Sequence, residues 1–195
     1  MPAGRPRAFD KEEALDRALD LFWTRGYEGA SLSDLTAAMR ISRPSLYAAF
    51  GDKRALFRAA MERYLQGPAA FVARALAEPS GRAAVERLLR DAADELTAPD
   101  RPPGCLAVHG ALACSAEGAD VRSELADQRR ASEAAIRERL ERAAAEGDLP
   151  AHQDPTALAR YIATLFQGMA VQASGGASRA ELHQVAEMCL AGLNW

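Results

Sequence analysis

Apolar residues return along this chain at intervals of three and four, the period of a helix that buries one side, and capping residues, glycines and prolines divide the returns into segments. Asp10 caps the first, in which Ala14, Leu15, Ala18, Leu21 and Phe22 form an inner stripe from about Lys11 to Arg25, with Gly26 as the stop. Ser31 followed three residues later by Asp34 is a capping signature, and Leu32, Leu35 and Met39 carry the next helix for about two turns. Ser42 caps a third, with Pro44 in the first turn, where a missing N–H is no loss, and with Leu46 and Phe50 inward. Gly51 suits a left-handed stop, and Asp52 caps a fourth helix that runs from Lys53 through Leu56, Phe57, Met61 and Tyr64 to about Gln66.

Beyond Pro68 the same period continues through Ala84, Leu88, Leu89 and Ala92 to about Thr97, and Ala98-Pro-Asp-Arg-Pro-Pro-Gly104 reads as a loop. Cys105 to Cys114 is a short, apolar helix. Val121, Leu125, Ile136 and Leu140, with Ser132 on the same stripe, line a helix of about 25 residues that Gly147-Asp-Leu-Pro150 ends. Asp154-Pro155 opens another with Leu158, Ile162, Leu165, Phe166 and Met169 on its buried side. The last starts at Ser178, whose Glu181 completes a capping box, and passes through Leu182, Val185, Ala186, Cys189 and Leu193. About nine helices and no strand result, in keeping with an abundance of Ala and Leu over the β-branched residues. The expected fold is all-α: an N-terminal three-helix helix-turn-helix unit over residues 1–52 and a helical C-terminal domain over 53–195, with 53–66 as connecting helix.

Charge gives this division a meaning. The chain of 195 residues carries a net charge of −3, yet residues 1–66 hold 11 Lys/Arg against 9 Asp/Glu and the remainder 13 against 18. Residues 40 to 63 contain Arg40, Arg43, Lys53, Arg54, Arg58 and Arg63 against Asp52 and Glu62. A two-turn helix presenting Arg43, Ser45, Tyr47 and Ala48 outward, next to another short helix, is the arrangement of a DNA reader whose second helix enters the major groove. Arg5 and Arg7 precede it on a polar, proline-broken segment, which is either an ordinary frayed terminus or an arm of the kind that reaches into a minor groove. No apolar run approaches the length that spans a bilayer and no signal-peptide core follows Met1, so a cytoplasmic protein without membrane contact is expected.

The segment Arg25-Gly-Tyr-Glu-Gly-Ala-Ser-Leu-Ser-Asp-Leu35, followed by Ile41-Ser-Arg-Pro-Ser-Leu-Tyr-Ala-Ala-Phe-Gly-Asp-Lys-Arg-Ala-Leu56, resembles the TetR family of bacterial transcriptional regulators over about residues 9 to 60. The resemblance implies that Ser31, Ser33, Arg43, Pro44, Ser45, Tyr47 and Lys53 stand where such proteins touch double-stranded operator DNA, Tyr47 and Lys53 on phosphates and Arg43 on bases. It also implies a C-terminal half that binds a small-molecule effector and pairs with a second copy through its last two long helices. Three positions depart from the pattern. Arg40 stands where the turn usually has glycine, Pro44 where a glycine often opens the reading helix, and Ala48-Ala49 where an aromatic-histidine pair is frequent.

For the second half, the apolar stripe of Leu165, Met169, Leu182, Val185, Cys189 and Leu193 exceeds what one protomer needs to cover one side and is expected to form a homodimer interface. Cys105, His109, Tyr161 and Phe166 are candidate ligand-binding residues. Cys105 stands near a helix amino end, a position that lowers a thiol pKa, and shares a helix face with His109, whereas Cys114 lies about 140° further round. Core packing, pocket lining and a thiol or metal site all remain open for this trio. Three cysteines without Cys-x-x-Cys argue against a disulfide framework and a zinc finger, and no cofactor or metal is expected. No nucleophile-base-acid set, glycine-rich phosphate loop or paired carboxylates point to catalysis. The reading is a ligand-responsive transcriptional regulator, most simply a repressor released from its operator by an effector; a helical protein-binding adaptor or a small helical enzyme are the alternatives.

Overall fold

The computed structural model describes residues 9–111, 115, 118–193 and 195, and its regular elements are all helices. There are ten among the described residues: α1 (Lys11–Gly29), α2 (Leu32–Met39), α3 (Arg43–Phe50), α4 (Lys53–Gln66), α5 (Phe71–Leu76), α6 (Gly81–Glu95), α7 (Leu106–His109), α8 (Ala119–Ala145), α9 (Pro155–Ser174) and α10 (Arg179–Gly192). The count exceeds the expected nine. The six-residue α5 follows Ala70, which offers no capping side chain, so no sequence signal marks where it begins.

The caps behave as their residue types dictate. Asp10, Ser31, Ser42, Asp52, Ser80, Asp154 and Ser178 each accept a backbone N–H of the helix they precede, and Ser31/Asp34 and Ser178/Glu181 close reciprocal capping boxes. Gly26 bends α1 instead of ending it, at φ 70° and ψ 175°. A Cβ there would stand 3.0 Å from the Gly110 carbonyl oxygen, and that oxygen accepts the Tyr27 N–H at 2.8 Å. The bend is thus where α1 meets the segment after α7, and only glycine allows the approach.

An aromatic seam glues α1 to α4. Phe22 meets Phe57 edge-on at 5.0 Å, Tyr27 meets Phe57 at 5.3 Å, and Trp23 meets Tyr64 at 4.8 Å. Leu35, Met39, Leu46 and Phe50 of α2 and α3 sink into the same core. On the other side α8 packs along α9, and α6 lies between α5 and α10. The four-residue α7 sits where α1, α4, α8 and α9 converge, with Leu106 fully buried. Trp23 Nε1 donates to the Gly104 carbonyl at 3.2 Å, which ties α1 to the loop that leads into α7. Gly104 has φ 84°, and a Cβ on it would fall 2.1 Å from Ser174 Oγ, so α9 also presses on this point. Among the described residues no helix is long and apolar enough to cross a membrane.

Between α2 and α3 the chain turns through Arg40 at φ 56° and ψ 39°, the left-handed region that side chains with a Cβ enter at a cost of about 1 kcal/mol. Arg40 is exposed and no ion pair compensates it among the described residues. Arg40→Gly is therefore expected to stabilise the protein by about 1 kcal/mol, seen as a higher urea midpoint at unchanged slope. A lower midpoint would show that the arginine side chain, and not its backbone, holds the turn.

Candidate functional site

Three regions of this scaffold can do more than hold it together. The first is the outer surface of α3. Leu46 and Phe50 fix the helix from below, so Arg43, Pro44, Tyr47 and Ala48 are exposed and Ser45 is half-exposed. Ser45 shares a hydrogen bond of 2.8 Å with the Ser42 hydroxyl, and the Ser31 hydroxyl is engaged with Asp34, so both serines shape helix starts as well as facing outward. Donation from the Ser31 hydroxyl and N–H also holds the Asp34 carboxyl below its usual range. Ser33 is exposed beside them. The Lys53 ammonium stands 4.4 Å over the Tyr27 ring at the start of α4. Arg5 and Arg7 lie outside the described residues.

The cationic count of the sequence overstates what this surface offers. Arg63 is taken up by Asp16 and Glu12 of α1 at 2.8 Å and 2.6 Å. Arg54 and Arg58 reach to α8, where both grip Glu124 and Arg54 also pairs with Asp120. Arg40 and Arg43 are the cations of this stretch that face outward at the turn and the reading helix, with Lys53 at the edge of the same surface. The internal pairs are invisible in the sequence because their partners lie 47 to 70 positions away.

The second region is a half-open, apolar cavity of about 340 Å³ lined by α4, α5, α7, α8 and α9. Val72, Ile136 and Phe166 supply much of its wall, and Tyr64, Cys105, Gln128, Arg129, Ser132 and Gln167 its polar atoms. Cys105 and Phe166 are brought together here, whereas His109 and Tyr161 lie outside this lining. Cys105 has extended dihedrals as the residue before α7, so the one-turn spacing to His109 does not put both on one face. The His109 ring turns instead toward the Trp23 carbonyl, 3.3 Å from Nε2, and burial pushes its pKa down. Tyr161 precedes Phe166 by five residues, about 140° around α9, and so points away from the cavity. Nor is Cys105 activated. Its sulfur accepts the Tyr64 hydroxyl at 3.2 Å, but complete burial outweighs that bond and pushes the thiol up. Cys114 lies outside the described residues, and among those described no cluster of His, Cys, Asp and Glu could hold a metal ion.

The third region is a shallow groove between α9 and α10, lined by Tyr161, Leu165, Met169, Leu182 and Val185 among others. Val185 and Tyr161 are exposed, while Met169, Leu182 and Cys189 are largely used up inside the protomer, and Leu165 and Leu193 are half-buried. The sequence reading missed Val171 and Met188, the latter 78% exposed, which extend the apolar face. Met188 follows Val185 by three, so helical spacing from a chosen residue was a usable signal.

Known proteins match this arrangement at several levels. Residues 14–60 match the model of bacterial regulatory proteins of the tetR family, and residues 81–188 that of the tetracyclin repressor-like C-terminal domain. The HTH-type transcriptional repressor ComR of Escherichia coli K12 is 36% identical over 185 residues, covering 94% of this chain and 88% of the relative. An HTH-type transcriptional regulator of Bacillus subtilis 168, YezE, is 34% identical over 82% of this chain and 83% of its own. A cysteine-substituted CifR solved with a 26-bp double-strand operator DNA superposes with a TM-score of 0.93 at 45% identity, over 98% of this chain and all of that one.

Because burial keeps Cys105 protonated, its alkylation by iodoacetamide at pH 8 is expected to be roughly tenfold or more slower than that of an unfolded cysteine, and to catch up in denaturant. Peptide-resolved mass spectrometry measures this. Equal rates in the native protein would mean that the cavity presents a thiolate.

Proposed function

The chain belongs to the TetR family of bacterial regulatory proteins and is a DNA-binding transcriptional regulator; we propose that it acts as a homodimeric repressor released from its operator by a small-molecule effector. Residues 1–52 are the reader in this account, 53–66 the connecting helix and the rest the effector and dimerisation domain. The observation that carries it is the exposed first turn of α3, where Arg43 stands above a fully buried Leu46 with no counterion among the described residues. Arg43 reads base edges, with the two-pronged geometry that suits guanine, while Tyr47, Lys53 and the amino end of α4 hold phosphates. Ser31, Ser33, Pro44 and Ser45 complete the contact surface, Pro44 by apolar packing. Superposition on the operator-bound CifR supports taking the present conformation as the one that binds DNA.

The apolar wall of the 340 Å³ cavity suits a small, predominantly hydrophobic effector, seated against Phe166 and Cys105 with its polar groups toward Gln128, Arg129, Ser132 or Gln167. The face of Tyr161, Leu165, Val171, Val185 and Met188 pairs with its copy, carrying Met169, Leu182, Cys189 and Leu193 beneath it. Two readers then address half-sites about 34 Å apart, so any change in their spacing alters affinity for the whole operator.

The test uses purified protein and the intergenic DNA that flanks its own coding region. Arg43→Ala should cost about 1–3 kcal/mol of operator affinity and relax base preference, whereas Lys53→Ala should weaken binding to all sequences alike and reduce the salt slope by about one. Affinity that does not fall with added salt would contradict phosphate neutralisation. Met188→Asp, at the most exposed apolar residue, should shift the sedimentation equilibrium from dimer to monomer; an unchanged dimer would place the interface elsewhere.

A further inference from the structure

The reader is attached to the rest of the molecule in two physically different ways. One is the packed junction at Gly26, where the Tyr27 N–H meets the Gly110 carbonyl and Trp23 meets Gly104. There, backbones touch and movement would open voids. The other lies further along, between α4 and α8. These helices pack far less closely than α4 packs on α1: a half-open groove of about 350 Å³ runs between them, floored by Phe57, Met61, Leu65 and Leu125. Ion-paired side chains cross its rim. Arg54 Nε and Arg58 Nε reach the Glu124 carboxylate at 3.0 Å each, with second contacts from both guanidinium groups at 2.5 Å, and Arg54 continues to Asp120.

A bridge of ion pairs over a groove is a compliant joint. It can exchange partners with water without leaving an unfilled core, so it is the place where α4 can swing at least cost. The same α8 lines the effector cavity. Gln128, one turn after Glu124, belongs to the walls of both spaces together with Leu65, and Ser132 and Ala135 lie one and two turns further on. A helix transmits displacement along its length, and Glu124 is about 12 Å along the axis from Ser132. On the α4 side the aromatic seam makes the reader follow, since Phe57 and Tyr64 are locked to Phe22 and Trp23.

We infer that Glu124 is the latch of this regulator: by gripping Arg54 and Arg58 it holds α4 in the DNA-binding position, and an effector that displaces α8 acts by breaking that grip. The inference rests on the function proposed above. Arg58 holds the Glu124 carboxyl below its usual range, so the latch stays charged throughout neutral pH. Glu124 touches no proposed effector atom and no proposed DNA contact, and its role is one of positioning.

Glu124→Gln keeps the shape and removes the charge. In effector-free dimer it is expected to bind operator about tenfold more weakly, within the range of couplings between distant sites, while its thermal midpoint stays within a few degrees of the parent. Spin labels on Ala37→Cys, in a background without the native cysteines, report the distance between readers in the absence of DNA. The parent should give one narrow distribution and Glu124→Gln a broader or displaced one. Reversing every charge of the bridge, with Arg54→Glu, Arg58→Glu, Asp120→Arg and Glu124→Arg, restores opposite charges across the groove and should recover the narrow distribution. Parent-like distances and affinity in Glu124→Gln would overturn the latch; so would lost affinity with unchanged distances. Failure of the parent protein to bind any operator would instead overturn the proposed function and leave the distance measurement as the judge of the latch.

Discussion

Everything the reader does depends on the burial of Leu46 and Phe50 beneath α3. Eight residues cannot sustain a helix in water, because the first turn costs more chain entropy than its hydrogen bonds return. The Ser42 cap and Pro44 reduce that cost at one end, and the core beneath removes the rest by taking apolar surface from water. The core in turn is completed by α1 and α4, whose aromatic rings interlock. A side chain on the outer face of α3 therefore inherits its position from Phe22, Phe57 and Leu35, none of which is near the surface it serves.

The distribution of charge follows the same logic. Of the cations in and around the reader, the arginines on α4 are spent on carboxylates of α1 and α8, whereas Arg40 and Arg43 carry no ion pair among the described residues. The first group stiffens or positions, and the second is presented outward. A count along the sequence treats both alike. This is why the local excess of basic residues pointed to the right partner for a reason that was only partly correct.

Most of the architecture was legible. Caps such as Ser31/Asp34, Ser42, Asp52 and Ser178/Glu181 are short-range devices, so their residues declare helix starts within a few positions. The outward side of α3 was legible for the same reason, as its helical period separates buried Leu46 and Phe50 from exposed Arg43 and Tyr47 unaided. The cavity was not. Its lining comes from five helices, and the apolar residues that border it look like those that fill a core; His109 and Tyr161 lie outside that lining because Cys105 is extended before α7 and the sequence does not mark which side of α9 faces inward. Helix α5 escaped for want of any local mark.

The attachment of α4 bears on how such a regulator could be recombined with another. Although Gly51 looks like the natural place to cut between the reader and the C-terminal domain, the rings of α4 are part of the reader's interior and Arg63 is bound to α1. A graft that exchanges only residues 1–52 would pair foreign α1 with native α4 and spoil that interior. A cut after Gln66 would carry the connecting helix with the reader and leave that interior whole, with Arg54 and Arg58 then facing whatever the recipient places where Asp120 and Glu124 stand.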